Sequence, residues 1–302
     1  MLMGFVVVGF WKNQSLPLFL AGAALLLAAV SLLDDLKPVP ARIRFAAHSL
    51  AAILCLGYLV AKAGIHLFPA ATIFNILLLL VLFFWIVGYT NAFNFMDGIN
   101  GIAAGQAFIT GLGTALVIGC ATRDWGHPLL VCSLLLSGAA FGFLPHNFPH
   151  ARMFMGDVGS APLGFLLAAL AVSAASESGW YLLIPFFLLH ANYILDTSVT
   201  LARRSFRGER VYEAHKEHFY QRLVRAGKSH AFTTGWEMCL QFLTLVLVLF
   251  YVNYPNSLLR LFFGLLVLLI WLVFFAYAEV VFSRTVSSAT HSGGVSRAVP
   301  LR

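Results

Sequence analysis

The sequence predicts an all-α, polytopic integral membrane protein. Two observations carry this. Of 302 residues, 60% are hydrophobic and only 10% are charged, whereas soluble domains run near 45–50% apolar and about 25% charged. The apolar residues also fall in uncharged runs of membrane-crossing length, without the alternating strands of a membrane barrel. Lipid must therefore solvate much of the chain, with the backbone bonded internally as helices.

In chain order, Met1–Phe10 is apolar but too short to span, since a span needs roughly 20 residues. It lacks the basic start and small-residue cleavage site of a signal peptide. It reads as the back half of a helix whose front is missing. About nine full spans follow, over 17–33, 43–62, 71–90, 99–119, 128–144, 158–175, 179–199, 236–252 and 258–282. The chain reads as one membrane-embedded domain, 1–302, with a cytoplasmic basic loop at 200–235.

Charge assigns the sides. If Asp34–Arg44 faces the cytoplasm, all Lys and Arg except Lys12, Lys62, Arg123 and Arg260 lie at or beside inner segments. That asymmetry follows the positive-inside rule, so the net charge of +7 is read as topology, not as nucleic-acid binding. Every Asp except Asp124 also falls on the inner side: Asp34, Asp35, Asp97, Asp157 and Asp196. Acids at a membrane boundary are costly unless solvated or used. Cys55, Cys120, Cys132 and Cys239 lie in or beside apolar runs without paired spacing, and read as packing residues.

Four inner stretches could carry chemistry. Asp34-Asp35 ends a span. It is either a helix stop or a like-charge pair that invites a cation. Asn91-Ala-Phe-Asn94-Phe-Met-Asp97-Gly-Ile-Asn100-Gly101 joins two spans. It has more polar groups than a plain turn needs, and Gly98 and Gly101 allow a turn or close approach by a ligand. In the stretch from His146-Asn147 to Phe154-Met-Gly156-Asp157, Asp157 at a helix start either caps it or holds Mg²⁺, which prefers oxygen ligands. Exposed N–H groups there favour phosphate, and Phe154 either packs or stacks on a base. Finally, Arg203, Arg204 and Arg207 precede His215 and His218. Guanidinium forks suit phosphate, and the two histidines, one helical turn apart, could face one ligand. A solvated topological loop is the plainer reading of that charge. His48 and His190, inside spans, read as hydrogen-bonded core residues.

In this order, Leu33-Asp34-Asp35, Asn91-Ala-Phe-Asn94-Phe-Met-Asp97-Gly, Phe154-Met-Gly-Asp157-Val-Gly-Ser160 and His215-Lys-Glu-His218 resemble the polyprenyl-phosphate N-acetylhexosamine-1-phosphate transferases over about residues 20–225. The stretch AHKEHFYQRL from Ala214 is more similar to the O-antigen-initiating branch than to the peptidoglycan enzyme. The resemblance implies a bacterial inner-membrane enzyme with its active site on the cytoplasmic face. It would transfer N-acetylhexosamine-1-phosphate from a UDP-sugar to undecaprenyl phosphate, with Mg²⁺ as cofactor and Mn²⁺ as the alternative metal.

By resemblance, Asp157 is the magnesium ligand, and Asp34 and Asp35 lie near the lipid phosphate and metal. Asn91, Asn94 and Asp97 line the nucleotide-sugar site, and Phe154 and Asn147 lie beside the uracil. His215, His218 and the preceding arginines close over the diphosphate. Asn100 stands where the peptidoglycan branch often has an acid, so uracil contacts there are expected to differ. The lipid, the donor, the membrane and no nucleic acid are the implied partners, with a homodimer left open. The resemblance leads us to expect nearly two further front spans and the loop between them, so either the start is placed too late or the chain is a truncated copy, and an inactive remnant stays as a rival. A transporter or lipid scramblase is the other rival; its acids should lie at mid-membrane.

Overall fold

A computed structural model of the protein describes residues 1–61, 72–210 and 215–291, the side chains of 288–291 excepted. The expected outer loop carrying Lys62, the residue Ala214 and the tail beyond 291 lie outside the described residues. Among those described there is no strand.

The helices are α1 (Leu2–Trp11), α2 (Ser15–Leu36), α3 (Ala41–Ala61), α4 (Thr72–Phe95), α5 (Ile102–Thr122), α6 (Pro128–Asn147), α7 (Gly156–Ser178), α8 (Leu183–Phe206, entered through a 3₁₀ turn at Trp180–Leu182), α9 (Phe219–Arg225), α10 (His230–Asn253) and α11 (Ser257–His291). Among the described residues nine helices, all but α1 and α9, are long and apolar enough to cross a membrane. The protein is thus a multi-pass all-α membrane protein.

The expected spans match these helices in order, but two boundaries need correction. Helix α4 runs on to Phe95, so Asn91 and Asn94 are helical and not in a connecting loop. The expected loop 200–235 is mostly helix. Its first residues continue α8, its middle forms α9, and α10 begins at His230, where Ser229 Oγ accepts the Phe232 N–H. A hydrophobicity window sees only the lipid-facing length of a helix, and these ends are polar.

Helix α7 is the centre of the bundle. Some 89% of its apolar window is buried and 83% of that of α5, against 22% for α4 and α11. Both central helices are rich in Ala and Gly, with Ser added in α7 and Thr in α5, which lets backbones approach where lipid supplies no hydrophobic drive between helices. At Gly164 a Cβ would sit 2.7 Å from Phe93 Cβ and 3.1 Å from the Thr90 Cα, so the α4–α7 crossing needs glycine. The peripheral helices instead turn large apolar residues such as Phe74, Val81, Phe84, Leu265 and Val273 outward.

Hydrogen bonds show which helix ends share one face of the bundle. The C-terminal end of α2 meets the start of α7 through Asp35 and the Asp157 and Val158 N–H groups. The α4–α5 turn meets the α6–α7 segment through Asn100 and Pro149. It meets α10 through Thr234, which donates to the Asn100 carbonyl, and α9 through Tyr220, which donates to the Phe95 carbonyl. All four stretches singled out in the sequence are therefore at one end. At the opposite end the polar features are modest: His127 Nε2 lies 3.5 Å from Glu177 Oε2.

Candidate functional site

Four carboxylates converge at that end from three separated stretches. Asp34 and Asp35 close α2, Asp97 follows α4, and Asp157 opens α7. Asp34 Oδ1 accepts the Val39 N–H at 2.6 Å and its Oδ2 accepts Arg44 Nη1 at 2.7 Å. The same Arg44 nitrogen reaches Asp157 Oδ2 at 3.2 Å. Asp35 accepts the Asp157 and Val158 N–H groups at 3.2 and 3.1 Å.

Asp35 thus caps α7, satisfying orphan donors and favouring the positive end of the helix dipole. The sequence expectation that these N–H groups await a phosphate is corrected, because Asp35 already holds two of them. Gly156 makes the joint possible. Its φ is +64°, and a Cβ there would come within 2.8 Å of Asp35 Oδ2, so both backbone and space require glycine.

Charge in this cluster is unbalanced. Arg44 is the cation paired with these carboxylates among the described residues. Burial, and after it the charges of Asp157 and Asp35, pushes Asp97 up to about 7. Burial is the larger cause, and the two neighbouring carboxylates add to it as like charges do.

The donor set suits a hard divalent cation. Among the described residues no three His, Cys, Asp or Glu side chains lie close enough to hold a metal by themselves. Mg²⁺, however, usually takes one or two carboxylates and completes its shell with water and substrate phosphate. Asp157, with Asp35 and Asp97 within electrostatic reach, fits that pattern.

The asparagines are partly committed. Asn94 Nδ2 donates to Ser160 Oγ at 2.9 Å, fixing α4 to α7 beside Asp157. Asn91 Nδ2 donates to the Val87 carbonyl, and its Oδ1 lies 3.1 Å from His48 Nδ1. His48 is accordingly a hydrogen-bonded core residue, and so is His190, whose Nδ1 lies 2.6 Å from the Phe186 carbonyl. Asn100 donates to the Pro149 carbonyl at 3.1 Å.

Asn147 departs most from its expected role beside a base. It is buried, its Oδ1 accepts the Gly101 N–H at 2.7 Å, and its Nδ2 donates to the Met153 carbonyl at 2.7 Å. Both ends of the amide are used to fold the 147–155 segment against the α4–α5 turn. That fold leaves Phe154 78% exposed; its ring is presented at the surface and does not pack in the core.

The basic stretch is also differently arranged from expectation. Arg203 pairs with Glu279 at 2.7 Å, and buried Arg204 pairs with Glu209 and Glu217 at 2.9 and 3.1 Å. Arg207 pairs with Glu209 at 2.7 Å and with Glu217. Each of these guanidinium groups is already paired with the chain's own acids.

His215 and His218 precede α9 and do not share a helix. Their rings are still 4.8 Å apart. His218 is buried with Nδ1 2.8 Å from Asp196 Oδ1, while Asp196 Oδ2 accepts the Phe219 N–H at 3.0 Å. Burial, and then the neighbouring His218 and Arg204, pushes His215 down to about 4, so it is neutral at pH 7.

Residue-type reasoning missed several participants. Arg44 was read only as a topology charge, yet it bridges Asp34 and Asp157. Glu279, which pairs with Arg203 and Arg222, carries no signal in spacing because these partners lie 76 and 57 positions away. Asp196 and Glu217 stand in the stretches quoted above, but their pairing with His218 and Arg207 was not read from them. The acids of the cluster lie at helix ends, not at mid-membrane as in the transporter alternative.

A family model described as glycosyl transferase family 4 matches residues 17–175, which includes Asp34, Asp35, Asp97 and Asp157. The chain is 33% identical over 244 residues to the decaprenyl-phosphate N-acetylglucosaminephosphotransferase of Mycobacterium tuberculosis (strain ATCC 25618 / H37Rv), covering 74% of this chain and 60% of that protein. It is 36% identical over 148 residues to a Bacillus subtilis (strain 168) protein named probable undecaprenyl-phosphate N-acetylglucosaminyl 1-phosphate transferase, covering 48% of this chain and 40% of that one. It is 38% identical over 140 residues to the phospho-N-acetylmuramoyl-pentapeptide-transferase of Enterococcus faecalis (strain ATCC 700802 / V583), covering 45% and 41%. The match to the mycobacterial relative thus spans three-fifths of that protein's length, 60%.

Proposed function

We propose a function for this chain on the premise that it belongs to glycosyl transferase family 4. It transfers N-acetylhexosamine-1-phosphate from a UDP-sugar to a polyprenyl phosphate, undecaprenyl phosphate in our reading, and releases UMP. The product starts a cell-envelope polysaccharide of the O-antigen type. The site faces the cytoplasm from a bacterial inner membrane, the orientation that the Lys/Arg asymmetry favours. One observation carries the reading: four carboxylates from three stretches meet at one end of the bundle with a single paired guanidinium, Arg44.

The chemistry joins two anions, so mutual repulsion is the first barrier. Asp157, supported by Asp35 or Asp97, would hold Mg²⁺, which when bound neutralises the diphosphate and stabilises the leaving UMP. The attacking phosphate has a second pKa of roughly 6, so it needs little help to ionise. We assign direct attack of the lipid phosphate on the β-phosphorus, in preference to a covalent aspartyl-phosphate. Arg44 draws that phosphate toward the cluster, and Asp34, which already holds Arg44, orients it. Asp35 holds the start of α7 so that the Asp157 carboxylate projects into the site. Asn91 and Asn94 shape the donor side, and exposed Phe154 offers a face for the base.

The test is UMP release by detergent-purified protein given undecaprenyl or decaprenyl phosphate, Mg²⁺ and a panel of UDP-N-acetylhexosamines, with and without EDTA. Lipid-dependent, EDTA-sensitive UMP from one donor is the expected result. UMP exchange into UDP-sugar without lipid would overturn the one-step route. Absence of UMP with every donor and both lipids, from folded protein, would overturn the function.

A further inference from the structure

Gly98 follows the site carboxylate Asp97, and the sequence suggests that glycine there admits a turn or a ligand. Its φ is not in the left-handed region, so the backbone does not demand glycine. Its neighbour does. A Cβ on Gly98 would overlap Tyr220 Oη, with Tyr220 Cζ next at 3.1 Å. Tyr220 is fully buried. Its hydroxyl donates to the Phe95 carbonyl at 3.2 Å and accepts from Gln221 Nε2 at 3.0 Å. Phe95 is the last residue of α4, so this bond satisfies one of the carbonyls that a helix end leaves orphaned.

The tyrosine is itself held from behind. Gln221 Oε1 accepts the His218 N–H at 3.2 Å. The His218 ring lies parallel to the Tyr220 ring, 6.0 Å away at 13°, and Asp196 fixes His218 at 2.8 Å. A continuous set of contacts therefore runs from α8 through His218 and Tyr220 to the turn that carries Asp97.

We propose that Tyr220 is a positioning residue for Asp97: its hydroxyl, seated on Gly98 and bonded to the Phe95 carbonyl, fixes the 96–101 turn and couples it to the segment after α8. The proposal rests on the functional reading above for what Asp97 does, but not for the joint itself. Displacing a reacting or binding group by even about 1 Å is costly to turnover, so a contact beneath the turn has kinetic weight without touching substrate.

The experiment is a double-mutant cycle of Tyr220→Phe and Gly98→Ala in the full chain, in detergent. Hydrogen–deuterium exchange of 96–101 is read alongside the UDP-sugar KM and kcat. Tyr220→Phe keeps the ring and removes the hydroxyl. Exchange at 96–101 should rise on the order of tenfold, with α5 unchanged. The donor KM should rise by about the same factor and kcat by much less.

Gly98→Ala should lower kcat/KM on the order of a hundredfold in the Tyr220 background. In the Tyr220→Phe background it should cost far less, because the overlapping atom is gone. Additive effects, or unchanged exchange in Tyr220→Phe, would overturn the proposal even if the enzyme is active. Coupled exchange in a chain that releases no UMP would uphold the joint and sink the functional reading instead.

Discussion

The two charged regions at this end of the bundle follow opposite rules. Around Arg203, Arg204, Arg207 and Arg222, positive charge is matched by Glu209, Glu217 and Glu279 at 2.7–3.1 Å, and His218 is matched by Asp196. Around Asp34, Asp35, Asp97 and Asp157, carboxylates share one guanidinium. In the first region four guanidinium groups share three carboxylates, and each has a partner without a ligand, so these charges act as architecture. The second holds repulsion that folding alone does not relieve, and such strain is tolerated where a ligand relieves it. Net basicity in the sequence points to the first region as an anion site; the pairing in the structure points instead to the second region, as a place for a cation.

The comparison breaks most visibly at Asp157. Replacing it with Ala should lower UMP release by at least about a thousandfold, the several kcal/mol expected when a metal's seat is lost. It should leave the melting temperature unchanged or raised, since one like charge is gone. Activity near wild type would remove Asp157 from the metal site.

Next in size is Asp196→Ala, a change in the self-satisfied region. It leaves His218 Nδ1, the Phe219 N–H and the Thr200 hydroxyl without their buried acceptor. Each orphaned buried group costs about 1–3 kcal/mol, so a loss of about 3 kcal/mol is expected in thermal or denaturant unfolding. A stability equal to wild type would show that the basic region is not held together this way.

The sequence made the nine spanning helices legible because each is a long apolar run, while the short polar α9 reads as loop. It made the acid cluster legible because its residues lie in compact stretches at span ends. What it hid was pairing across distance. Arg44 sits 113 positions from Asp157, and Tyr220 sits 125 from Phe95; no local period encodes either. It also could not tell a guanidinium waiting for phosphate from one already met by Glu217, nor an amide free for uracil from Asn147, whose two ends fold a loop. Composition reports how many charges there are, and only tertiary structure reports which remain unspent.

The raised pKa of Asp97, about 7 against the usual 3.8, sharpens the contrast from the other side. Between about pH 4 and 7 the folded chain keeps this proton while the unfolded chain has lost it, so stability falls as pH rises through that window. Asp97→Asn should therefore be more stable than wild type at pH 8 and equal to it near pH 4, while losing activity. Because Asp97 is only half-buried, solvent screening holds the gain to about 1–2 kcal/mol. Mg²⁺ should flatten the wild-type pH slope and leave that of the variant alone. A variant less stable at pH 8 than wild type would mean that Asp97 is structural.

The smallest effect is expected at Arg207, which the family resemblance places over the diphosphate. Its side chain is exposed and its guanidinium is already shared between Glu209 and Glu217. Exposed ion pairs of this kind contribute little and are screened by salt. Arg207→Ala should leave the donor KM within about threefold of wild type at physiological ionic strength, with kcat unchanged. A KM rise of tens of fold would mean that the segment rearranges on binding, releasing Arg207 from its two glutamates to meet the substrate. In that case the self-paired arrangement is a resting state, and Glu217 is the residue that competes with the diphosphate for the guanidinium.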